Sequence, residues 1–179
     1  HRSQCDLAIF RGFLVCMPML VLYRYQTRMQ QDGCDDMLGF LGGTGEEGRG
    51  LSLRLCLAGE RVMIGSRDSS KAEEIATGMA ENLGLSGIYS GSNEDVARTA
   101  DVIFITVPYA GQKGLLETVK GSLAGKVVID TVAPLALDDG RFYTLPVEEG
   151  SASLEAQSLL PKSEIVAAFQ NVSAKDLLA

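Results

Sequence analysis

A short run of small residues constrains this chain more than any other stretch. Phe40-Leu41-Gly42-Gly43-Thr44-Gly45-Glu46-Glu47-Gly48 carries Gly43, Gly45 and Gly48 in a G-x-G-x-x-G spacing. An apolar segment, Met37 to Leu41, leads in. A helical pattern leads out, with Leu51, Leu55 and Ala58 on one face and Leu53 and Leu57 beside it. Strand, glycine turn and helix in that order is the context that gives the spacing meaning. In it Gly43 makes the tight turn, Gly45 lets a pyrophosphate approach the backbone, and Gly48 lets the helix pack closely. The helix start adds unpaired N–H groups and a positive dipole end. Glu46 and Glu47 suit that helix start electrostatically. They also lie beside the expected pyrophosphate, so a carboxylate turned inward would weaken binding.

The rest of the chain alternates strand and helix. Gly59 stops the first helix. Residues 61–67 read as a second strand and its exit. Ser69 and Ser70 are placed to cap the next helix, with Glu73 and Glu74 in its first turn. That helix runs to about Leu83. Residues 87–90 read as a third strand and 93–97 as a short helix. Residues 101–107 are almost continuously apolar, as in a parallel strand covered on both faces, and Pro108 stops them. A helix over 111–123, a strand over 126–130, a loop over 132–150, a helix over 151–160 and a sixth strand over 164–169 follow. This alternation implies right-handed crossovers and an α/β fold: a Rossmann-type, doubly wound parallel sheet with helices on both faces. A chain of 179 residues can bury one sizeable core. The expected divisions are an N-terminal extension at 1–36, a dinucleotide domain at 37–170, and the start of a further C-terminal domain at 171–179.

The second strand carries the choice of cofactor. NAD-specific domains place an Asp or Glu about 20 residues past the glycines, on the ribose 2′-OH. Here the strand ends in Ser66-Arg67. Ser66 can donate one hydrogen bond, and Arg67 can fork onto a phosphate. Lys71 follows four residues later, on the same side of a helix start. With the Thr44 hydroxyl, these residues form a site for a 2′-phosphate, which means NADP. Asp68 bears on this choice, because a side chain turned inward could serve a ribose hydroxyl instead.

Composition excludes several classes. A net charge of −7 lacks the basic footprint of a nucleic-acid binder. There are four cysteines without a C-x-x-C pair, and one histidine, His1, so a zinc site is not expected. Cys56 reads as a small buried apolar side chain. The lack of a disulfide framework fits a reducing, cytoplasmic setting. Residues 1–36 pose a separate question. Leu7 to Tyr23 is apolar but interrupted by Arg11 and Pro18, which is too short and broken for a membrane span. It also resembles a signal peptide, without a small-residue cleavage site. The favoured reading is upstream translation, with Met37 as the true start and residues 1–36 poorly ordered. No Ser/His/Asp or Cys/His arrangement is present. Hydride transfer needs none, because cofactors carry the reaction and the protein aligns them. No catalytic side chain is therefore named. Tyr109 can pack on a ring or donate a hydrogen bond, or it is an ordinary loop aromatic.

With Gly42-Gly43-Thr44-Gly45, Gly48, Gly65-Ser66-Arg67, Lys71, Thr106-Val107-Pro108-Tyr109 and Phe169-Gln170-Asn171-Val172-Ser173-Ala174 in place, the chain from Met37 to Ala179 closely resembles the coenzyme F420-dependent NADP oxidoreductases. The nucleotide domains of membrane ferric reductases and pyrroline-5-carboxylate reductases are relatives. The resemblance implies hydride exchange between NADPH and the deazaflavin F420. It implies that Thr44, Gly45, Glu46 and Glu47 meet the phosphates, and that Ser66, Arg67 and Lys71 hold the 2′-phosphate. Val107, Pro108, Tyr109, Ala133 and Pro134 would flank the nicotinamide, and Asn171 to Ala174 would lie near both rings. The carboxylate pair Glu46-Glu47 departs from the family pattern. The family's smaller C-terminal domain, which helps enclose the deazaflavin and commonly makes a homodimer, would begin where this sequence stops. The expectation is a fragment that binds NADP. Two alternatives stay open: an NADPH-dependent flavin- or metal-directed reductase domain, and a non-catalytic NADP-binding module.

Overall fold

The structure, a computed structural model, describes residues 36–179. The expectations for residues 1–35, Cys5, Cys16 and Cys34 included, lie outside the described residues. The elements are β1 (Met37–Leu41), α1 (Glu46–Leu57), β2 (Arg61–Ser66), α2 (Ser69–Leu83), β3 (Ile88–Ser92), α3 (Asn93–Thr99), β4 (Val102–Ile105), α4 (Tyr109–Leu123), β5 (Val127–Asp130), β6 (Leu135–Asp138), β7 (Arg141–Thr144), α5 (Ala152–Leu159), β8 (Glu164–Ala167) and α6 (Ala174–Leu178). Six strands form a parallel sheet in the order β3-β2-β1-β4-β5-β8. This is the doubly wound order expected from the alternation. Its direction of growth reverses between β1 and β4, and ligands of such sheets bind outside the strand C-termini at that point.

β1 and β4 are buried along their whole length, which is why they read as continuous apolar runs. On one face Leu41, Ile103, Ile105 and Val128 pack against Val96, Leu116, Val119, Leu123, Ala152 and Ala156. On the other, Phe40 stacks on Phe104 at 4.7 Å, and Ile64 packs with Ala72 and Ala76. Full burial of each large side chain in this core contributes about 1.5–3 kcal/mol.

Local details differ from the sequence reading in five places. The buried residues of α1 are Gly48, Gly50, Leu51, Ser52 and Cys56; Ala58 is exposed and Leu57 is 52% exposed. The glycines set this rotation. A Cβ on Gly48 would lie 2.5 Å from Gly43 Cα, and one on Gly50 would lie 2.6 Å from Leu177 Cβ, so the side of the helix with least bulk makes the close approaches. The cap of α2 is Asp68, not Ser69 or Ser70; its extended backbone lets the carboxylate accept from Ser70 N and Lys71 N. α4 starts directly after Pro108 instead of at Gly111. β8 ends at Ala167, because Phe169 turns the chain with φ +70°. The expected loop at 132–150 contains the β6–β7 hairpin. Asp139 (φ 44°) and Gly140 (φ 74°) form its two-residue turn, the Asp-Gly signal for such turns.

α6 lies against α1. Arg54 donates from Nε to Leu177 O at 2.7 Å and from Nη2 to Asp176 O at 3.3 Å. Residues 36–179 form one compact unit. Among the described residues no helix is long and apolar enough to cross a membrane.

Candidate dinucleotide site

The turn between β1 and α1 sits at the C-terminal edge of the sheet. Gly42, with φ +72°, is the glycine of this turn in the left-handed region. Gly43 is needed for packing instead, since a Cβ there would meet Phe40 Cβ at 2.8 Å. Within the turn Gly43 N donates to Phe40 O, Gly45 N to Gly42 O, and Arg49 N to Gly45 O. Among the described residues no backbone carbonyl accepts from Thr44 N–H. Gly45 is the N-cap of α1, with no side chain on the cap, so the first N–H groups of the helix lack intrahelical acceptors. The space over Gly45 is open: a Cβ there meets nothing nearer than 3.7 Å. Free donors, a helix dipole and an open glycine fit a pyrophosphate.

At the end of β2, Ser66 is buried and its Oγ accepts from Asp68 N at 3.1 Å. Arg67 and Lys71 are exposed, and neither forms an ion pair among the described residues. Asp68 Oδ1 accepts from Ser70 N and Lys71 N at the start of α2, so one carboxylate oxygen is engaged as a cap. Two free cations and a hydroxyl suit a phosphate monoester.

Val107, half-buried, abuts the turn: its Cγ1 is 2.2 Å from where a Gly42 Cβ would stand. Pro108 is exposed and Tyr109 is half-buried at the start of α4. Desolvation and the Glu155 and Glu149 carboxylates push the Tyr109 phenol up, so it remains a donor, with Glu155 as its partner. Ala133 and Pro134, both half-buried, follow β5. Asn171 is exposed in the turn between β8 and α6, whereas Ala174 places its carbonyl over Gly50 of α1.

Hydrogen bonds join the strand ends. Thr106 Oγ1 donates to Leu41 O at 2.9 Å, Thr131 Oγ1 to Ile105 O at 2.8 Å, and Gln170 Nε2 to Asp130 O at 2.7 Å. A bulky residue at positive φ is strained. Phe169 holds that conformation where its ring lies 6.2 Å from Phe104 and the next side chain reaches Asp130.

Several residues at this edge escaped the sequence reading. Asp130 is fully buried; Ser153 Oγ donates to it at 2.6 Å and Val132 N at 3.1 Å. Burial raises its pKa despite these bonds, and Glu155 adds to the rise. Burial also raises Glu47; the neighbouring Thr131 hydroxyl opposes the rise and the Asp130 charge adds to it. Glu47 therefore turns toward the end of β5, not wholly to solvent. Asn93, which the sequence marked only as part of a short helix, accepts from Gly42 N–H at 3.0 Å. A capping-type residue directly after a strand, at the edge where ligands bind, was the available signal. Among the described residues no cluster of His, Cys, Asp and Glu could hold a metal ion.

Residues 37–134 match the family described as NADP oxidoreductase, coenzyme F420-dependent. An F420-dependent NADP reductase of Methanothermobacter marburgensis is 39% identical over 150 residues, covering 79% of this chain and 66% of its own. One from Methanothermobacter thermautotrophicus is 37% identical over 147 residues, with 79% and 63% covered. The chain thus spans a little under two thirds of the length of these curated relatives. A solved structure from Arthrobacter sp. FB24, provisionally named an F420-dependent NADP reductase, superposes with a TM-score of 0.67 at 22% identity, covering 79% of this chain and 65% of that one. Lactate dehydrogenase from Eimeria maxima shares the fold at a TM-score of 0.58 and 12% identity, with 75% and 44% covered. On the family match, the chain belongs to the coenzyme F420-dependent NADP oxidoreductases.

Proposed function

We propose that this chain binds NADP(H) at the C-terminal edge of its sheet and serves hydride transfer between NADP(H) and coenzyme F420. The observation that carries the reading is the pairing of an open glycine turn with two unpaired cations at the end of β2. In this reading Gly43, Thr44, Gly45, Glu46, Glu47 and Gly48 take the pyrophosphate. Ser66, Arg67 and Lys71 take the 2′-phosphate. Val107, Pro108, Tyr109, Ala133 and Pro134 border the nicotinamide, with Asn171 and Ala174 toward the deazaflavin. The bound cofactors supply the chemistry, a hydride passing between nicotinamide C4 and deazaflavin C5. The chain's own part is to hold the phosphates and align the nicotinamide. Homodimer assembly and a cytoplasmic setting belong to the same proposal. The test is oxidation of NADPH by this chain, followed by absorbance. Oxidation with F420 and none with FMN or ferric ion supports the reading. Equal rates with any of these acceptors would replace F420 with a broader reductase. NADPH binding with no acceptor reduced would make the chain a binding module.

A further inference from the structure

Asn93 links two parts of the edge that the chain keeps far apart in sequence. It is the first residue of α3, immediately past β3, and is 3% exposed. Its Oδ1 accepts from Gly42 N–H across a separation of 51 residues. β2 lies between β3 and β1, so the side chain must cross it. It does so over Gly65, where a Cβ would sit 2.9 Å from Asn93 Oδ1. Gly65 is thus the residue that leaves room for the crossing. The origin of the side chain is itself fixed. Asp95 N donates to Ser92 Oγ at 3.0 Å and Ser92 N to Asp95 Oδ2 at 3.2 Å, a reciprocal cap directly beside Asn93. Arg98 pairs with Asp95 from the same helix.

The bond falls on the one turn residue in the left-handed region. Gly42 has φ +72° and is pressed by Val107. With its N–H held from behind, the turn presents the Thr44 N–H and the first donors of α1 to an incoming anion. We infer that Asn93 is the positioning residue of the dinucleotide site: its carboxamide locks the glycine turn in the shape that receives a pyrophosphate. The inference rests on the NADP reading above and adds a residue to it. Because NADP and NAD share the pyrophosphate, Asn93 governs the affinity of both, unlike Arg67.

The experiment is residue-resolved amide hydrogen exchange at Gly42 together with titration of NADP and NAD, on the full chain. Asn93→Ala is expected to lose protection at Gly42 and to weaken both dinucleotides about tenfold. Asn93→Asp keeps the acceptor and is expected to keep Gly42 protected. Unchanged protection or unchanged affinities in Asn93→Ala would overturn the inference. If Asn93→Ala does not fold, Asn93→Asp carries the test: retained protection supports the lock, and lost protection overturns it. A wild-type chain that binds neither dinucleotide would refute the cofactor reading, while exchange at Gly42 would still decide the role of Asn93 in shaping the turn.

Discussion

In the proposed site, Arg67 and Glu47 bear on the two phosphate positions with opposite sign. Arg67 is an exposed cation beside the buried hydroxyl of Ser66, with no competing ion pair among the described residues. Arg67→Ala should weaken NADP about tenfold or more and leave NAD within about twofold, as measured by calorimetric titration. An equal loss for both would remove Arg67 from the 2′-phosphate. Glu47 is a carboxylate in the first turn of α1, with a pKa raised mainly by burial. The folded chain therefore holds its proton to higher pH than the unfolded chain does. Between the two pKa values the native state binds more protons, so stability falls as pH rises through the folded value. Glu47→Gln should unfold at a higher temperature than wild type at pH 8 and converge with it at acid pH. The same change should tighten NADP roughly two- to fivefold at pH 8, because a negative charge leaves the pyrophosphate site. A stability gap that widens toward low pH would reverse the sign of this argument. Residue types alone single out Arg67 and Lys71 as phosphate candidates, but they do not say where Glu47 points. That direction depends on Thr131 and Asp130, more than 80 residues downstream.

Helix caps and turns were readable where the signal is local. The Asp-Gly of the hairpin turn was in plain view, yet Pro134 and Pro146 drew the whole region into a loop. By residue type, Asp68 offers a contact to a ribose hydroxyl and the adjacent serines offer the cap. The structure gives the cap to Asp68, because the residue at the strand exit is the one with extended backbone. Asp68→Ala should lower stability by about 1 kcal/mol in thermal unfolding, without weakening NADP. A loss of NADP affinity with unchanged stability would return Asp68 to the ribose. The face of α1 was misjudged for a related reason. Apolar periodicity assumes that side-chain bulk seeks the core, whereas α1 packs through Gly48 and Gly50.

For the molecule as a whole, strand alternation and buried runs were enough to predict the parallel doubly wound sheet. Its order then brings the ends of β1, β2, β4 and β5 into one edge. The bonds that knit this edge were hidden in the sequence. Asn93 to Gly42, Gln170 to Asp130 and Thr131 to Ile105 each join distant segments. Apart from the capping-type residue that Asn93 offers directly after a strand, no local motif marks them; the partners follow only once the strands are set side by side. Residues 36–179 pack as one compact unit, so a chain begun at Met37 should unfold in a single cooperative transition in urea. A chain that stays unfolded would show that the preceding residues are required. The central claim is that the glycine turn and the Ser66–Arg67–Lys71 edge hold the two ends of one phosphorylated dinucleotide. A crystal structure of the chain with NADP bound tests it most directly. The account predicts the pyrophosphate over residues 43–48 and the 2′-phosphate within hydrogen-bond distance of Ser66, Arg67 and Lys71. An adenosine half lying anywhere else would contradict it.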